Sequence, residues 1–216
     1  MQRLFISVNC DNKIKNQFLS VQEKIKTQSV KGNFTLPENL HLTLVFMGET
    51  PADKIRIISS VIDTAMKPPI APFTLTFSTV GCFKHSNKEL WWIGTDCNDM
   101  HLDILKTIRQ RIAKELFSKG INFDNRPFNP HITLGREIKH ESPIIIPNQK
   151  IIFPVNRISL MKSERINGIL TYTEIFGLDL SDTEVNCAIK NPPLQSHKDP
   201  PHTGGAEPLP EHEPCQ

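Results

Sequence analysis

The sequence predicts a mixed α/β (α+β) fold built from two pseudo-equivalent halves. Segments with the two-residue apolar alternation of strands are interleaved with segments whose apolar residues recur at helical spacing. Two neighbouring strand segments, 73–77 and 90–93, follow one another as in a β-hairpin, which indicates partly antiparallel sheets. A short histidine-containing motif also occurs twice, 90 residues apart, and each copy follows a helical segment. This spacing is what two related halves would produce.

The first half of the chain is predicted to contain two strands and two helices. Leu4–Val8 is the first strand, and Asp11 is a candidate N-cap for the helix that follows it. Leu40–Phe46 is the second strand. The helices are predicted from apolar residues three and four positions apart, namely Ile14, Phe18, Val21 and Ile25 in the first and Ile55, Ile58, Ile62 and Ala65 in the second.

The second half is predicted to repeat this mixture. Apolar residues alternate with threonine along Phe73–Phe77, and Leu90–Ile93 is a further strand. A helix begins near Asp99 and is closed by Gly120. Its apolar positions are Leu102, Leu105, Ile108, Ile112 and Leu116. The remaining strands are predicted at His131–Leu134, Ile151–Ile158 and Thr171–Leu178.

The composition of the chain excludes several classes of protein. A net charge of +2 over 216 residues is too small to indicate nucleic-acid binding by itself. Apolar runs are only a few residues long, so we expect no membrane span, no secretion signal and a cytoplasmic location. Five cysteines are scattered without a CxxC pair. We therefore expect free thiols, with neither a zinc ribbon nor a disulfide framework.

The last part of the chain has a different composition from the rest. Apolar periodicity stops after Leu180, and seven of the 17 prolines lie between Pro192 and Pro214. Such a segment has little apolar surface to bury. We therefore expect one folded unit at residues 1–180 and a disordered, proline-rich tail at residues 181–216.

The repeated motif contains the chemistry of the chain. Asn39-Leu40-His41-Leu42-Thr43-Leu44 is matched by Asn129-Pro130-His131-Ile132-Thr133-Leu134. Because strand side chains alternate between two faces, each motif presents a histidine and a threonine on one face and apolar residues on the other. The histidine and threonine of each copy are about 7 Å apart along the strand.

Two imidazoles and two hydroxyls of this kind suit acid–base chemistry on a phosphodiester. One histidine can take a proton from the nucleophile while the other supplies one to the leaving oxygen. The threonine hydroxyls can donate hydrogen bonds to non-bridging phosphoryl oxygens. A single isolated motif would more often hold a structural histidine, and the repetition argues against that interpretation. A zinc site is disfavoured because neither histidine has a second ligand at i+2 or i+4.

The two motifs and their flanks resemble a known family. Leu36–Glu49 is similar to the first signature, and Arg126–Arg136 to the second, of the LigT-like two-histidine (2H) phosphoesterases. The match to the RNA 2′,3′-cyclic phosphodiesterase branch, historically called 2′-5′ RNA ligase, extends to the opening Arg3–Val8 and to a closing pattern of Ser163, Gly168 and Tyr172. The resemblance covers roughly residues 2–180.

The resemblance implies a fold and an activity. The fold would be bilobal and pseudo-symmetric, with two mainly antiparallel sheets flanked by helices and one motif on each side of a central cleft. The enzyme would open a terminal 2′,3′-cyclic phosphate on RNA to a 2′-phosphate without a metal or other cofactor, and could also form or cleave 2′-5′ linkages reversibly. By the same resemblance, His131 is the proton acceptor, His41 is the proton donor, and Thr43 and Thr133 bind the phosphate.

Two further residues are assigned with the help of the resemblance. Arg136 would add positive charge at the phosphate, although on a regular strand it would share the face of Leu134, so a bulge or a strand end is needed to turn it towards the cleft. Phe5 lies beside the expected cleft and is the candidate for stacking on a nucleobase. Of Trp91 and Trp92, only one can face the same cleft, because neighbouring strand residues point to opposite sides.

The predicted partner is RNA with a 2′,3′-cyclic phosphate end, such as a tRNA fragment, and the chain is expected to act as a monomer. Two alternatives stay open at this point. The first is a non-catalytic module that binds RNA ends on the same fold. The second is a phosphodiesterase that acts on small cyclic nucleotides or on 2′-5′ oligoadenylates.

Overall fold

The computed structural model describes residues 1–85 and 88–181. In these residues the chain forms three α-helices, α1 (Asn12–Lys26), α2 (Ile55–Ala65) and α3 (Leu102–Ser118). It also forms nine strands, which are β1 (Gln2–Asn9), β2 (Lys31–Phe34), β3 (His41–Thr50), β4 (Phe73–His85), β5 (Lys88–Thr95), β6 (His131–Lys139), β7 (Ile151–Val155), β8 (Arg157–Ile166) and β9 (Ile169–Asp179). The prediction of a mixed α/β fold is confirmed.

All the strands belong to one antiparallel sheet with the order β7-β4-β5-β6-β3-β1-β8-β9, and β2 pairs with β6 beside this path. The two expected sheets are therefore the two halves of a single sheet. They join where Leu42 of β3 pairs with Ile132 of β6, the one register pair between these strands. Two separate sheets were expected because the resemblance implies two lobes. It did not indicate that the strands carrying the two motifs pair with each other through their backbones.

The two halves repeat the same arrangement. In one half β1, α1 and β3 follow in order and the strands pair; in the other β5, α3 and β6 do the same. The helices cross over, because α1 packs against β6 and β7 while α3 packs against β3. Each motif strand is thus supported by a helix from the other half, which ties the halves into one core.

The predicted start of α1 and the predicted end of α3 agree with the structure, while α3 begins at Leu102, three residues after the expected Asp99. Asp11 caps α1 by accepting a hydrogen bond from the Ile14 backbone nitrogen at 2.8 Å. The predicted apolar positions of all three helices are buried, apart from the partly buried Ile55. After α3 the chain turns at Gly120, whose φ of +64° is a left-handed conformation that suits glycine.

The predicted strand Ile151–Ile158 is in fact two strands. Only Asn156 separates β7, at one edge of the sheet, from β8, close to the other edge. Because one residue spans less than 4 Å, the sheet must curl until its two ends approach each other. The apolar alternation changes phase at this junction, from Ile151, Phe153 and Val155 to Ile158 and Leu160, and this break in the pattern marks where the chain changes neighbours.

The remaining expectations concern cysteines, membrane spans and the tail. Cys10, Cys82 and Cys97 are free thiols, while Cys187 and Cys215 lie outside the described residues. Within the described ranges, no helix is long and apolar enough to cross a membrane. The predicted disordered tail also lies outside them from residue 182 onwards.

Candidate active site

The two histidine motifs lie side by side at the centre of the sheet. Pairing of Leu42 with Ile132, both fully buried, brings the motif strands of the two halves, β3 and β6, into contact. The histidine and threonine of each motif therefore project from the same face of the sheet. Together they line one cleft of about 570 Å³, and its further walls come from β1, β2, β8 and β9. The structure thus brings together the four residues that the motifs single out, His41, Thr43, His131 and Thr133.

Both imidazole rings are oriented by a backbone carbonyl. The Nδ1 of His41 lies 2.7 Å from the Asn39 carbonyl oxygen, and the Nδ1 of His131 lies 2.7 Å from that of Asn129. A carbonyl oxygen only accepts, so each Nδ1 carries the hydrogen and each neutral ring has its lone pair on Nε2. Nε2 is therefore the atom that takes up or delivers a proton in both halves.

The hydroxyl contacts of the two histidines differ. The Nε2 of His41 is 2.8 Å from Thr43 Oγ1, so the hydroxyl donates to the ring when the ring is neutral. Within the described part of the chain, no equivalent bond joins His131 to Thr133. The threonine of the first motif must therefore turn from the histidine to a phosphoryl oxygen when it binds one.

Each histidine packs against two aromatic side chains. The ring of His41 lies 4.8 Å from that of Phe5 and 5.2 Å from that of Tyr172. The ring of His131 lies 5.4 Å from that of Phe83 and 6.1 Å from that of Trp92. Apolar walls of this kind weaken the solvation of a positively charged ring.

The pKa values of both histidines reflect these surroundings. Burial lowers the pKa of His41 from its ordinary value of 6.5 to about 4; the positive charges of Arg136 and His131 act in the same direction, and the bond to Asn39 acts against it. Burial also lowers the pKa of His131, again with Arg136 acting in the same direction. At pH 7 both rings of the free protein are therefore neutral proton acceptors.

Phe5 is not placed to stack on a nucleobase. Its side chain is 3% exposed, and its ring packs on His41 and Tyr172, with centroids at 4.8 and 4.9 Å. A base needs an open aromatic face, which this position does not have. The expected stacking is not supported because Phe5, although it lines the cleft, is covered there by the rings of His41 and Tyr172. Its role in the structure is to support the ring of His41.

Arg136 reaches the cleft through a bulge, as its position requires. Between Thr133 and Gly135 β6 advances two residues while β5 advances one, at Trp91–Trp92. Leu134 is therefore the extra residue, and beyond it the side chains change face. This change places Arg136 in the cleft lining together with Thr133.

A side chain of helix α1 stabilises the bulge. The buried side chain of Gln22 donates from Nε2 to the carbonyl oxygens of Leu134 and Thr35, both at 2.8 Å. The backbone nitrogen of Thr35 donates to the same Leu134 oxygen at 3.0 Å. A carbonyl that leaves the regular ladder at a bulge is thereby satisfied, which stabilises the irregular strand.

Several residues of the cleft were not assigned a role from the sequence. Asn39 is 4% exposed and donates from Nδ2 to the Leu170 carbonyl at 2.8 Å, so it connects the first motif to β9. Arg3 and Phe46 line the cleft as a stacked pair, with the guanidinium 5.0 Å from the ring centroid. The asparagine that precedes both motifs was the visible signal for Asn39. Nothing in the sequence pairs Arg3 with Phe46.

The cleft has few groups that could hold a metal ion. Among the described residues, no group of three or more histidine, cysteine, aspartate and glutamate side chains is arranged to do so. Glu137 is the carboxylate that lines the cleft, and it is engaged by Asn33 at 3.0 Å and by Lys88. The two imidazoles are the candidate acid–base groups of this cleft.

Comparison with known proteins agrees with the geometry. The family model described as the AKAP7 2′5′ RNA ligase-like domain matches residues 4–159. The RNA 2′,3′-cyclic phosphodiesterase of Escherichia coli is 29% identical over 175 residues, which are 81% of this chain and 94% of that protein. The enzyme of the same name from Methanocaldococcus jannaschii is 30% identical over 135 residues, which are 62% of this chain and 70% of the relative.

A solved structure extends the similarity to the fold. The crystal structure of E. coli LigT complexed with 3′-AMP superposes with a TM-score of 0.67 at 27% identity, covering 84% of this chain and 99% of that one. The family match spans most of the described chain and includes both histidine motifs. This chain belongs to the LigT-like 2H phosphoesterases, the family whose model is described as the AKAP7 2′5′ RNA ligase-like domain.

Proposed function

We propose that this protein is an RNA 2′,3′-cyclic phosphodiesterase that opens a terminal 2′,3′-cyclic phosphate to a 2′-phosphate by metal-independent acid–base catalysis. One observation carries the proposal: two imidazoles, each with Nδ1 bonded to a carbonyl, present Nε2 to one cleft between two threonine hydroxyls. The names of the relatives support the choice of substrate. A module that only binds RNA ends would have no need for two oriented imidazoles.

The reaction requires one proton acceptor and one proton donor. Water attacks phosphorus, and its proton passes to the Nε2 of the neutral histidine as the P–O bond forms. The bond between phosphorus and the 3′-oxygen breaks, and that oxygen takes the proton from Nε2 of the protonated histidine. The products are a 2′-phosphate and a free 3′-hydroxyl. The histidine pair ends with its proton exchanged between the rings.

Thr43, Thr133 and Arg136 stabilise the charge that develops on the phosphoryl oxygens. Hydroxyl and guanidinium donors aimed at these oxygens are worth most in a cleft from which water is excluded. Arg136 lowers the pKa of both histidines in the free chain, and a bound phosphate opposes this effect because its negative charge favours protonated rings. Substrate binding therefore raises the pKa of the imidazoles, so that one ring can be protonated.

Which histidine is the proton donor and which is the acceptor depends on which ring is protonated when the substrate is bound. We propose His131 as the acceptor and His41 as the donor. The free chain favours the reverse order, because His41 is the more enclosed ring and has its pKa lowered to about 4. The proposed assignment therefore requires that the bound phosphate raise the pKa of His41 above that of His131.

Hydrolysis of an RNA oligonucleotide with a 2′,3′-cyclic phosphate end, in the presence of EDTA, tests the activity. We expect turnover to a 2′-phosphate by the wild type and a loss of at least about 10³-fold in His41→Ala and in His131→Ala. His101→Ala, outside the cleft lining, is the matched control. Binding without turnover in the wild type would favour the end-binding module, and activity that EDTA abolishes would contradict metal independence.

A substrate with sulfur in place of the 3′-bridging oxygen tests the roles of the histidines. A thiolate leaves without needing a proton. The variant that lacks the donor should therefore regain activity on this substrate, and the variant that lacks the acceptor should not. Recovery of His41→Ala supports the proposed assignment. Recovery of His131→Ala instead would reverse the two roles.

The proposal has three finer parts. Both motifs belong to one chain and complete one cleft, which supports a monomer as the active form. The substrates would include tRNA fragments in the cytoplasm, processed at their cyclic phosphate ends. Joining of a 2′-5′ linkage would use the same groups in the same direction, with the 5′-hydroxyl of a second RNA in place of water, and cleavage of such a linkage would be the reverse of this step. A sedimentation measurement and a ligation assay with 5′-hydroxyl RNA test the first and the last of these parts.

A further inference from the structure

A second cavity adjoins the catalytic cleft. It has a volume of about 860 Å³ and shares with the cleft the side chains of Arg3, Arg136, Arg165 and Tyr172. Neither histidine lines it, so it lies beyond the reacting groups. A ligand that fills the cleft can therefore continue into this cavity without leaving the protein surface.

The cavity is positively charged. Four cationic side chains and two carboxylates line it, a net of +2 from Arg3, Arg136, Lys162, Arg165, Glu49 and Glu164. Lys162 is neutralised by Glu164 at 2.8 Å. Arg165 donates to the Gly168 carbonyl at 2.7 Å, and Arg3 stacks on Phe46. Within the described residues, neither arginine forms an ion pair. The arginines are thus held in place with their charge available.

The position of Arg3 follows from the equivalence of the two halves. Strand β3 has a register shift against β1 that makes Leu44 an extra residue, just as Leu134 is in β6. Phe46 therefore occupies in the first half the place that Arg136 occupies in the second, five residues after the histidine. Arg3 covers the Phe46 ring, so the first half receives its positive charge from β1.

Tyr172 lies close to both Arg3 and Arg136. Burial raises the pKa of its hydroxyl, while Arg136 and Arg3 both act in the opposite direction. The hydroxyl thus lies within the field of both guanidiniums, on the boundary shared by the cleft and the second cavity. This boundary suits a chain of negative charges that passes from one space to the other.

A terminal nucleotide with its cyclic phosphate between the histidines has two other groups to place, a nucleobase and a 5′-oxygen. The base is uncharged, whereas the 5′-oxygen of an RNA end bears the next phosphodiester. We propose that the second cavity binds this penultimate phosphodiester, with Arg3 and Arg165 as its ligands. The inference rests on the proposed function and narrows it, because it makes an RNA strand a better substrate than a nucleoside 2′,3′-cyclic phosphate.

Three substrates test this proposal. They are a nucleoside 2′,3′-cyclic phosphate, a dinucleotide with the same cyclic end, and that dinucleotide with an uncharged methylphosphonate linkage. For the wild type we expect kcat/KM on the charged dinucleotide to exceed the other two by about 10- to 100-fold, the worth of one charge-assisted hydrogen bond or two. Arg3→Gln and Arg165→Gln should each reduce this ratio, while Arg56→Gln on α2 should leave it unchanged.

The outcomes separate this inference from the function on which it rests. If the wild type turns over none of the three substrates, the proposed function fails. If it turns over all three with similar kcat/KM, the proposed function stands and the phosphodiester site is overturned. Loss of activity by the same factor on all three substrates in Arg3→Gln would also overturn the site, because Arg3 would then act at the reacting phosphate. Circular dichroism and urea unfolding of each variant establish that it is folded.

Discussion

Acidification should destabilise this protein through His41. The pKa of this histidine falls from 6.5 to about 4 on folding, chiefly because burial disfavours the charged ring. As the pH drops below 6.5, the unfolded chain binds a proton that the folded chain does not, so stability decreases until the folded pKa is reached. The full difference is about 3 kcal/mol, of which about 2 kcal/mol is lost between pH 7 and pH 5.

Urea unfolding at several pH values measures this loss, with His41→Asn as the reference. Because His131 also has a lowered pKa and remains in the variant, the difference between the two proteins isolates His41. The wild type should lose about 2 kcal/mol more than the variant between pH 7 and pH 5. Titration of the imidazole resonances by NMR gives the pKa directly. Parallel stability curves, or a midpoint near 6.5 for His41, would refute the reasoning.

Four further substitutions probe the site and its support. Phe5→Ala should cost about 3–5 kcal/mol of stability in urea and raise the pKa of His41, and a small loss would show that the cleft collapses around the cavity. Gln22→Met removes the side-chain donor to the Thr35 carbonyl and one of the two donors to the Leu134 carbonyl, and should cost about 1–3 kcal/mol while lowering turnover; unchanged turnover would mean that the bulge persists without these bonds. Thr43→Val and Thr133→Val should each lower kcat by about 10²-fold. Only Thr43→Val should also alter the His41 titration, and an equal effect of Thr133→Val would contradict the observed bond.

Features set by neighbouring residues could be predicted from the sequence. The apolar spacing of α1 and α3 identifies their buried faces, because a helix repeats every 3.6 residues whatever it packs against. The face shared by each histidine and threonine follows from strand alternation in the same way. Asp11 and Gly120 mark helix ends through local hydrogen bonding and a left-handed φ. The candidate catalytic residues could therefore be named before the fold was known.

Features set by pairing between distant strands could not be predicted in this way. The four residues of β2 show no apolar alternation and become a strand only by pairing with β6. Whether Arg136 faces the cleft depends on one extra residue relative to β5, and the sequence of β6 alone does not determine this register. The burial of Phe5 and the position of Arg3 depend on the strands on both sides of β1. Each of these outcomes is decided by the sheet as a whole.

Acid–base catalysis requires that the two halves of this site differ. Two imidazoles in identical surroundings would share one proton equally, and neither would be reliably acid or base. The surroundings here are unequal: Thr43 bonds to His41 without a counterpart at His131, and the residue five positions after each histidine is Phe46 in one half and Arg136 in the other. With Arg3 stacked on Phe46, positive charge reaches the cleft from a different strand in each half. The repeated motif thus supplies two similar groups, and the residues that break the repeat make the two rings differ in their affinity for a proton.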